Sequence, residues 1–124
     1  MEINKLLKIK EIIDKYAHDK ISVKLGYKFM KFCKSIEIEE AFFNERMVEI
    51  VSAYCKKDGH GTYIRTETGG IEIIEDKIDE CNKALEELNS LEVKKPDFVF
   101  TLDELEELKL SISDLAILDD FIVE

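Results

Sequence analysis

Residues 22–57 read SVKLGYKFMKFCKSIEIEEAFFNERMVEIVSAYCKK. Phe29, Cys33, Ile36, Glu40, Phe43, Met47, Ile50 and Tyr54 recur there at alternating four- and three-residue steps, a heptad-like seam with one polar interruption at Glu40. Ser22 fits a helix N-cap, and after Gly26 neither Pro nor Gly interrupts the stretch. One helix over 22–57 is therefore expected. At about 1.5 Å per residue it would run roughly 52 Å. A compact chain of this size is only about 35 Å across. Three outcomes are open: an elongated molecule, a bend near Ile36–Glu40, or another chain covering the overhang.

Working outward, Ile3, Leu6, Leu7, Ile13, Tyr16 and Ala17 space as an amphipathic helix over residues 3–18, the first arm of a helical hairpin. Downstream, Asp58-Gly59-His60-Gly61 stops the long helix. The β-prone runs Thr62–Arg65 and Ile71–Ile74 flank Gly69-Gly70 and predict a short β-hairpin over 62–74. Ile74, Ile78, Cys81, Leu85 and Leu88 predict a helix over 75–90, with Glu75, Asp76 and Asp79 suited to its N-terminal dipole. Pro96 with Phe98 and Phe100 predicts an edge strand near 97–100. Thr101-Leu102-Asp103-Glu104 has the pattern of a capping box, and Ser111–Asp114 repeats it, so two short C-terminal helices follow. The fold class expected is α+β, predominantly helical, as one domain over residues 1–124.

The 124 residues are 45% apolar and 37% charged, enough apolar residues for a packed core. No apolar run is long enough for a membrane-spanning helix, and the N-terminus lacks the apolar block of a secretory signal. Cys33, Cys55 and Cys81 are an odd, widely spaced set, which favours reduced thiols and a cytoplasmic location. The net charge of −10 is unevenly spread. Residues 1–58 carry 12 basic and 10 acidic side chains, residues 59–91 carry 3 and 8, and residues 92–124 carry 3 and 10. The basic and acidic ends are expected to face each other across one fold, and the acidic surplus disfavours direct nucleic-acid binding.

Few groups suggest catalysis. His18 and His60 are the only imidazoles, and His60 between two glycines reads as a turn residue. Cys55 and His60 do not complete a zinc ligand set, Gly59-His60-Gly61 lacks the span and the Lys-Ser/Thr of a phosphate loop, and the adjacent acid pairs lack the spacing of a calcium loop. No enzyme activity, cofactor or metal is expected. Cys33 and Cys81 sit on apolar seams, leaving Cys55 as the candidate exposed, reactive thiol. The candidate partner-binding residues are the acids Asp103, Glu104, Glu106, Glu107, Asp119 and Asp120 and the off-seam aromatics Phe32 and Phe42.

Lys24-Leu25, Tyr27-Lys28, Lys31, Glu37, Glu39, Glu45-Arg46, Tyr54 and Lys57-Asp58 with Gly61 resemble the pattern of a group of small phage and prophage proteins of Gram-positive bacteria. Glu92-Val93, Pro96, Leu102, Leu105 and Leu108, then Ser111, Asp114-Leu115, Leu118 and Ile122, extend the resemblance through the C-terminal part. The group has no assigned activity, so the resemblance implies an origin and a bacterial host cell but no catalytic residues. The expected function is a non-enzymatic accessory protein that binds a host or defence protein, such as a nuclease or CRISPR-type effector. The alternatives are a virion structural or assembly component, with a homo-oligomer formed through helix 22–57, and sequestration of a small signalling nucleotide.

Overall fold

The computed structural model describes residues 1–123. Helix α1 (Ile3–Ala17) buries Ile3, Leu6, Ile9, Ile12 and Ile13. Glu2 offers its first turn no side-chain cap. Instead the Ile3 N–H donates to the Leu91 carbonyl at 2.8 Å, and the Val93 N–H donates to the Met1 carbonyl at 2.8 Å. A distant segment thus satisfies one orphan donor of the helix start, Ile3 N–H, and pairs with the Met1 carbonyl just before it.

The expected single helix over 22–57 is two: α2 (Val23–Ser35) and α3 (Glu37–Tyr54). Ser22 caps α2 as read from sequence, its Oγ accepting from the Leu25 N–H at 3.2 Å. The break falls on Ile36, at φ −112° and ψ 7°. Its causes are local. Ser35 Oγ donates to the Phe32 carbonyl at 2.6 Å, competing with the helical ladder. Lys34 closes α2 and Glu37, Glu39 and Glu40 open α3, the charge order of one helix ending and another starting. Ile36 itself is buried, so the break is anchored in the core.

The seam is then covered from within the chain. Phe29 and Ile36 join a core with Leu6, Ile9, Ile13, Leu25, Phe32, Phe100, Leu105, Leu118 and Phe121. Phe32 meets Phe98 and Phe121 edge-on at centroid distances of 5.6 and 5.5 Å, and Phe29 meets Phe100 at 5.6 Å. Such pairs contribute about 0.5–1.5 kcal/mol each beyond the area they bury. Farther along, Phe43, Met47, Ile50 and Tyr54 pack with Cys81, Ala84, Leu85 and Leu88 of α4 (Ile78–Asn89). Of the three outcomes open for residues 22–57, the chain takes the bend, at Ile36, and α4 covers the α3 part of the seam. The polar interruption is explained too: Glu40 pairs with Lys10 at 3.0 Å, and Lys10 also holds Asp14 at 2.9 Å. These carboxylates hold the Lys10 ammonium well above its ordinary range.

Residues 75–90 begin with a 3-10 turn, Glu75–Lys77, before α4 proper. The expected hairpin over 62–74 is a three-way arrangement of single bridges, with residues 55–57, just past α3, as third member. Lys56 donates to the Glu72 carbonyl, Glu72 to Ile64 and Ile64 back to Lys56, at 2.8, 2.9 and 3.0 Å. The eight-residue spacing of these three positions closes a triangle of backbone hydrogen bonds, which a two-stranded reading could not contain. The extended segment near 97–100 becomes β1 (Phe100–Thr101), paired in parallel with β2 (Ile122–Val123), Phe100 opposite Ile122. Between them lie α5 (Leu102–Leu105) and α6 (Ile112–Leu118). The fold is α+β and predominantly helical. Among the described residues no helix is long and apolar enough to cross a membrane.

Candidate functional site

The expected capping box forms: Thr101 Oγ1 accepts from the Glu104 N–H at 3.1 Å, and the Glu104 carboxylate accepts from the Thr101 N–H at 3.0 Å. Ser111 Oγ caps α6 by accepting from the Asp114 N–H at 3.1 Å. Between the caps, a 3-10 turn over Glu106–Leu108 ends at Lys109, the one non-glycine residue with positive φ among the described residues (φ 52°, ψ 51°). This left-handed residue reverses the chain and turns Leu110 back toward α5. The result is an open groove of about 360 Å³ floored by Leu102, Leu105, Leu110 and Leu115, with Asp103 and Glu106 on its rim.

Each acid proposed from sequence has a definite place. Asp103 and Glu106 are exposed and, among the described residues, carry no ion pair or side-chain hydrogen bond. Asp119 is exposed but outside the groove lining. The other three are committed within the fold. Lys28 holds Glu104, and that ammonium with the Thr101 hydrogen bond keeps the carboxyl below its usual range. Glu107 accepts from the Ser22 N–H at 2.8 Å, bracing the start of α2. Asp120 pairs with Lys5, which lowers its carboxyl pKa.

Phe32 is not a partner contact, because its side chain is fully buried at 0% exposure. The buried face of α2 runs Leu25, Phe29, Phe32 and Ile36, so Phe32 rather than Cys33 continues the seam, and Phe98 and Phe121 cover it. Phe42 is 47% exposed and borders a shallow cleft of about 180 Å³ with Arg46, Ile50, Ala84, Glu87, Leu88 and Leu91. Cys55, read as exposed and reactive, is buried. Burial also pushes the Cys33 and Cys81 thiols up, away from thiolate chemistry. His60 is exposed in a turn organised by Asp58, whose Oδ1 accepts from the His60 and Thr62 N–H groups at 2.8 and 3.1 Å. Exposed His60 and buried Cys55 do not converge, and among the described residues no three His, Cys, Asp or Glu side chains group as metal ligands.

Sequence reading singled out the rim but not the floor. Leu105 and Leu115 enter the sequence reading only through the resemblance, Leu102 through it and the capping-box pattern, and Leu110 does not enter it. The missing signal was Lys109, because lysine gives no warning of a left-handed turn in the way Gly or Asn does. In comparisons with known proteins, no family model, no curated protein and no solved structure matches this chain.

Proposed function

We propose that this chain is a phage or prophage accessory protein that acts by binding another protein, without catalysis of its own. The groove between α5 and α6 takes a basic segment of a host or defence protein. One observation carries this reading. Leu102 is half exposed and Leu110 and Leu115 are half-buried over buried Leu105, beside Asp103 and Glu106, two carboxylates with no internal cation among the described residues. An apolar floor anchors leucine- or phenylalanine-like side chains, and a charged rim steers and orients a complementary partner. Basic segments of that kind line the nucleic-acid channels of nucleases and CRISPR-type effectors, which gives inhibition as the consequence of occupancy. Sequestration of a signalling nucleotide draws less support, since Lys5, Lys10, Lys15 and Lys28 are already engaged by carboxylates.

The test is co-purification from bacterial host lysate with the wild-type chain and the Asp103→Lys/Glu106→Lys variant in parallel. A partner recovered in stoichiometric amount by the wild type, lost with the variant and weakened by salt is the expected result. Equal recovery by both chains, or none by either across several hosts, sinks the reading.

A further inference from the structure

The outward faces of α2 and α3 carry a row that the fold leaves uncovered: Val23, Tyr27, Met30 and Lys34 on α2, then Ile38, Phe42, Glu45 and Glu49 on α3. All eight are exposed, Val23 at 89% and Ile38 at 83%. Two β-branched apolar side chains this open, with Tyr27, Met30 and Phe42 in the same row, exceed the scattered apolar exposure of an ordinary surface.

The row has an internal symmetry. Its steps are 4, 3, 4, 4, 4, 3 and 4 residues, the same from either end, and the midpoint is Ile36, where the helix breaks. Charge follows the same division. Helix α2 carries Lys24, Lys28, Lys31 and Lys34 and no acid, while α3 carries Glu37, Glu39, Glu40, Glu45 and Glu49 against Arg46 alone. The two helices therefore bear opposite net charges of four each. Lys5, Lys10, Lys15 and Lys28 find carboxylates inside the molecule. Among the described residues the outward Lys24, Lys31 and Lys34, and the outward Glu37 and Glu45, find none, while Glu49 pairs with Arg46 on its own helix.

We propose that this face binds a second copy of the chain about a two-fold axis passing near Ile36. Such an axis lays α2 of each copy antiparallel along α3 of the other. Each residue contact then occurs twice, as an isologous interface requires. Met30 meets Phe42 of the other copy, Tyr27 meets Glu45, Val23 lies along the methylene stem of Glu49 and Ile38 along that of Lys34, which lies beside Glu37. Pairing the same helices in parallel would set lysine on lysine and glutamate on glutamate. Complementarity held entirely within one sequence selects a second copy over a foreign occupant. None of the groove residues takes part, so the proposal stands apart from the groove's own partner.

Sedimentation of the full chain from low to several hundred micromolar concentration reads the outcome. The wild type is expected to move from 14.4 kDa toward twice that mass. Met30→Lys and Phe42→Glu, both at exposed positions, are each expected to weaken self-association at least about tenfold, because each sets an unpaired charge against an apolar side chain. Mixed in equal amounts, the two variants should recover the dimer. One contact then pairs lysine with glutamate and the other remains Met30 with Phe42. Recovery on mixing also shows that each variant is folded. A wild type that stays monomeric at every concentration overturns the proposal. So does a dimer that survives in either variant alone, or a mixture that stays monomeric.

Discussion

Lys28 Nζ binds both carboxylate oxygens of Glu104, at 2.9 and 3.0 Å, while that carboxylate also closes the N-terminal cap of α5 on Thr101. One side chain thus ties α2 to the turn that begins the groove. The ammonium also lies 5.2 Å from the centroid of the Phe100 ring, so the tie sits against the core.

The two roles of Glu104 separate by substitution. Glu104→Gln keeps a side chain able to reach the Thr101 N–H but gives up the ion pair, whose partners are each about 30% exposed. The expected loss is about 0.5 kcal/mol. Glu104→Ala removes both and is expected to cost about 1–2 kcal/mol. Urea denaturation midpoints compare the two. Equal losses would mean that the capping bond contributes nothing.

Acid sensitivity follows from Glu104, Asp114 and Asp120, all held below their ordinary ranges. Lys28 and Thr101 do this for Glu104, Tyr16 and then Lys15 for Asp114, and Lys5 for Asp120. Their unfolded values are about 3.9 for Asp and 4.3 for Glu. A carboxyl with a lower pKa in the folded state stabilises the fold above the unfolded value and loses that contribution as pH falls through the folded one. The denaturation midpoint should therefore be insensitive to these groups near neutrality and drop from about pH 4.5 downward. Asp114 accepts from Tyr16 Oη at 2.8 Å and joins α6 to α1. Asp114→Asn should lower stability at pH 7 and flatten the acid limb. An unchanged acid limb would show that Asp114 does not contribute.

Lys109 gives a prediction of the opposite sign. At φ 52° its Cβ is held in a region that L-residues occupy at a cost of about 1–2 kcal/mol. Lys109→Gly removes that cost but adds unfolded-state freedom, so the net change should be stabilising by several tenths of a kcal/mol. Lys109→Val, with a branched Cβ, should destabilise by more than about 1 kcal/mol. Thermal unfolding of both variants checks the order, and a valine variant as stable as the glycine one would contradict it.

Much of this architecture was legible because local signals agreed with one another. Ser22, Thr101 and Ser111 each cap the helix their pattern announced. The seam from Phe29 to Tyr54 is buried or half-buried as its period required. What period alone could not show was the Ile36 break, since the apolar spacing continues through it. Its marks were the Lys34-to-Glu37 charge reversal and the Ser35 hydroxyl, both weaker than a Pro or Gly. Phe32 was misplaced because the seam was carried through Cys33, although Phe29, Phe32 and Ile36 fit a helical face equally well; Phe98 and Phe121, remote in sequence, are what select Phe32. Of the acids at 103–107, the capping-box pattern marks only Glu104 in the chain. The Ser22 N–H that engages Glu107 and the Lys28 that pairs with Glu104 are remote in sequence, and they complete the division into structural and free.

Phe32 and Phe42, similar in sequence context, should respond oppositely to truncation. Phe32→Ala opens a void between Phe98 and Phe121 in the main core and should cost about 3–5 kcal/mol. Phe42→Ala removes a ring that is nearly half in solvent and should cost under about 1 kcal/mol at low protein concentration. At high concentration a self-associating chain gains stability by mass action, which Phe42→Ala would forfeit and Phe32→Ala would not. Melting temperatures taken at two well-separated concentrations distinguish the cases. A Phe42→Ala melting point that rises with concentration as steeply as the wild type's would place the contact away from this ring.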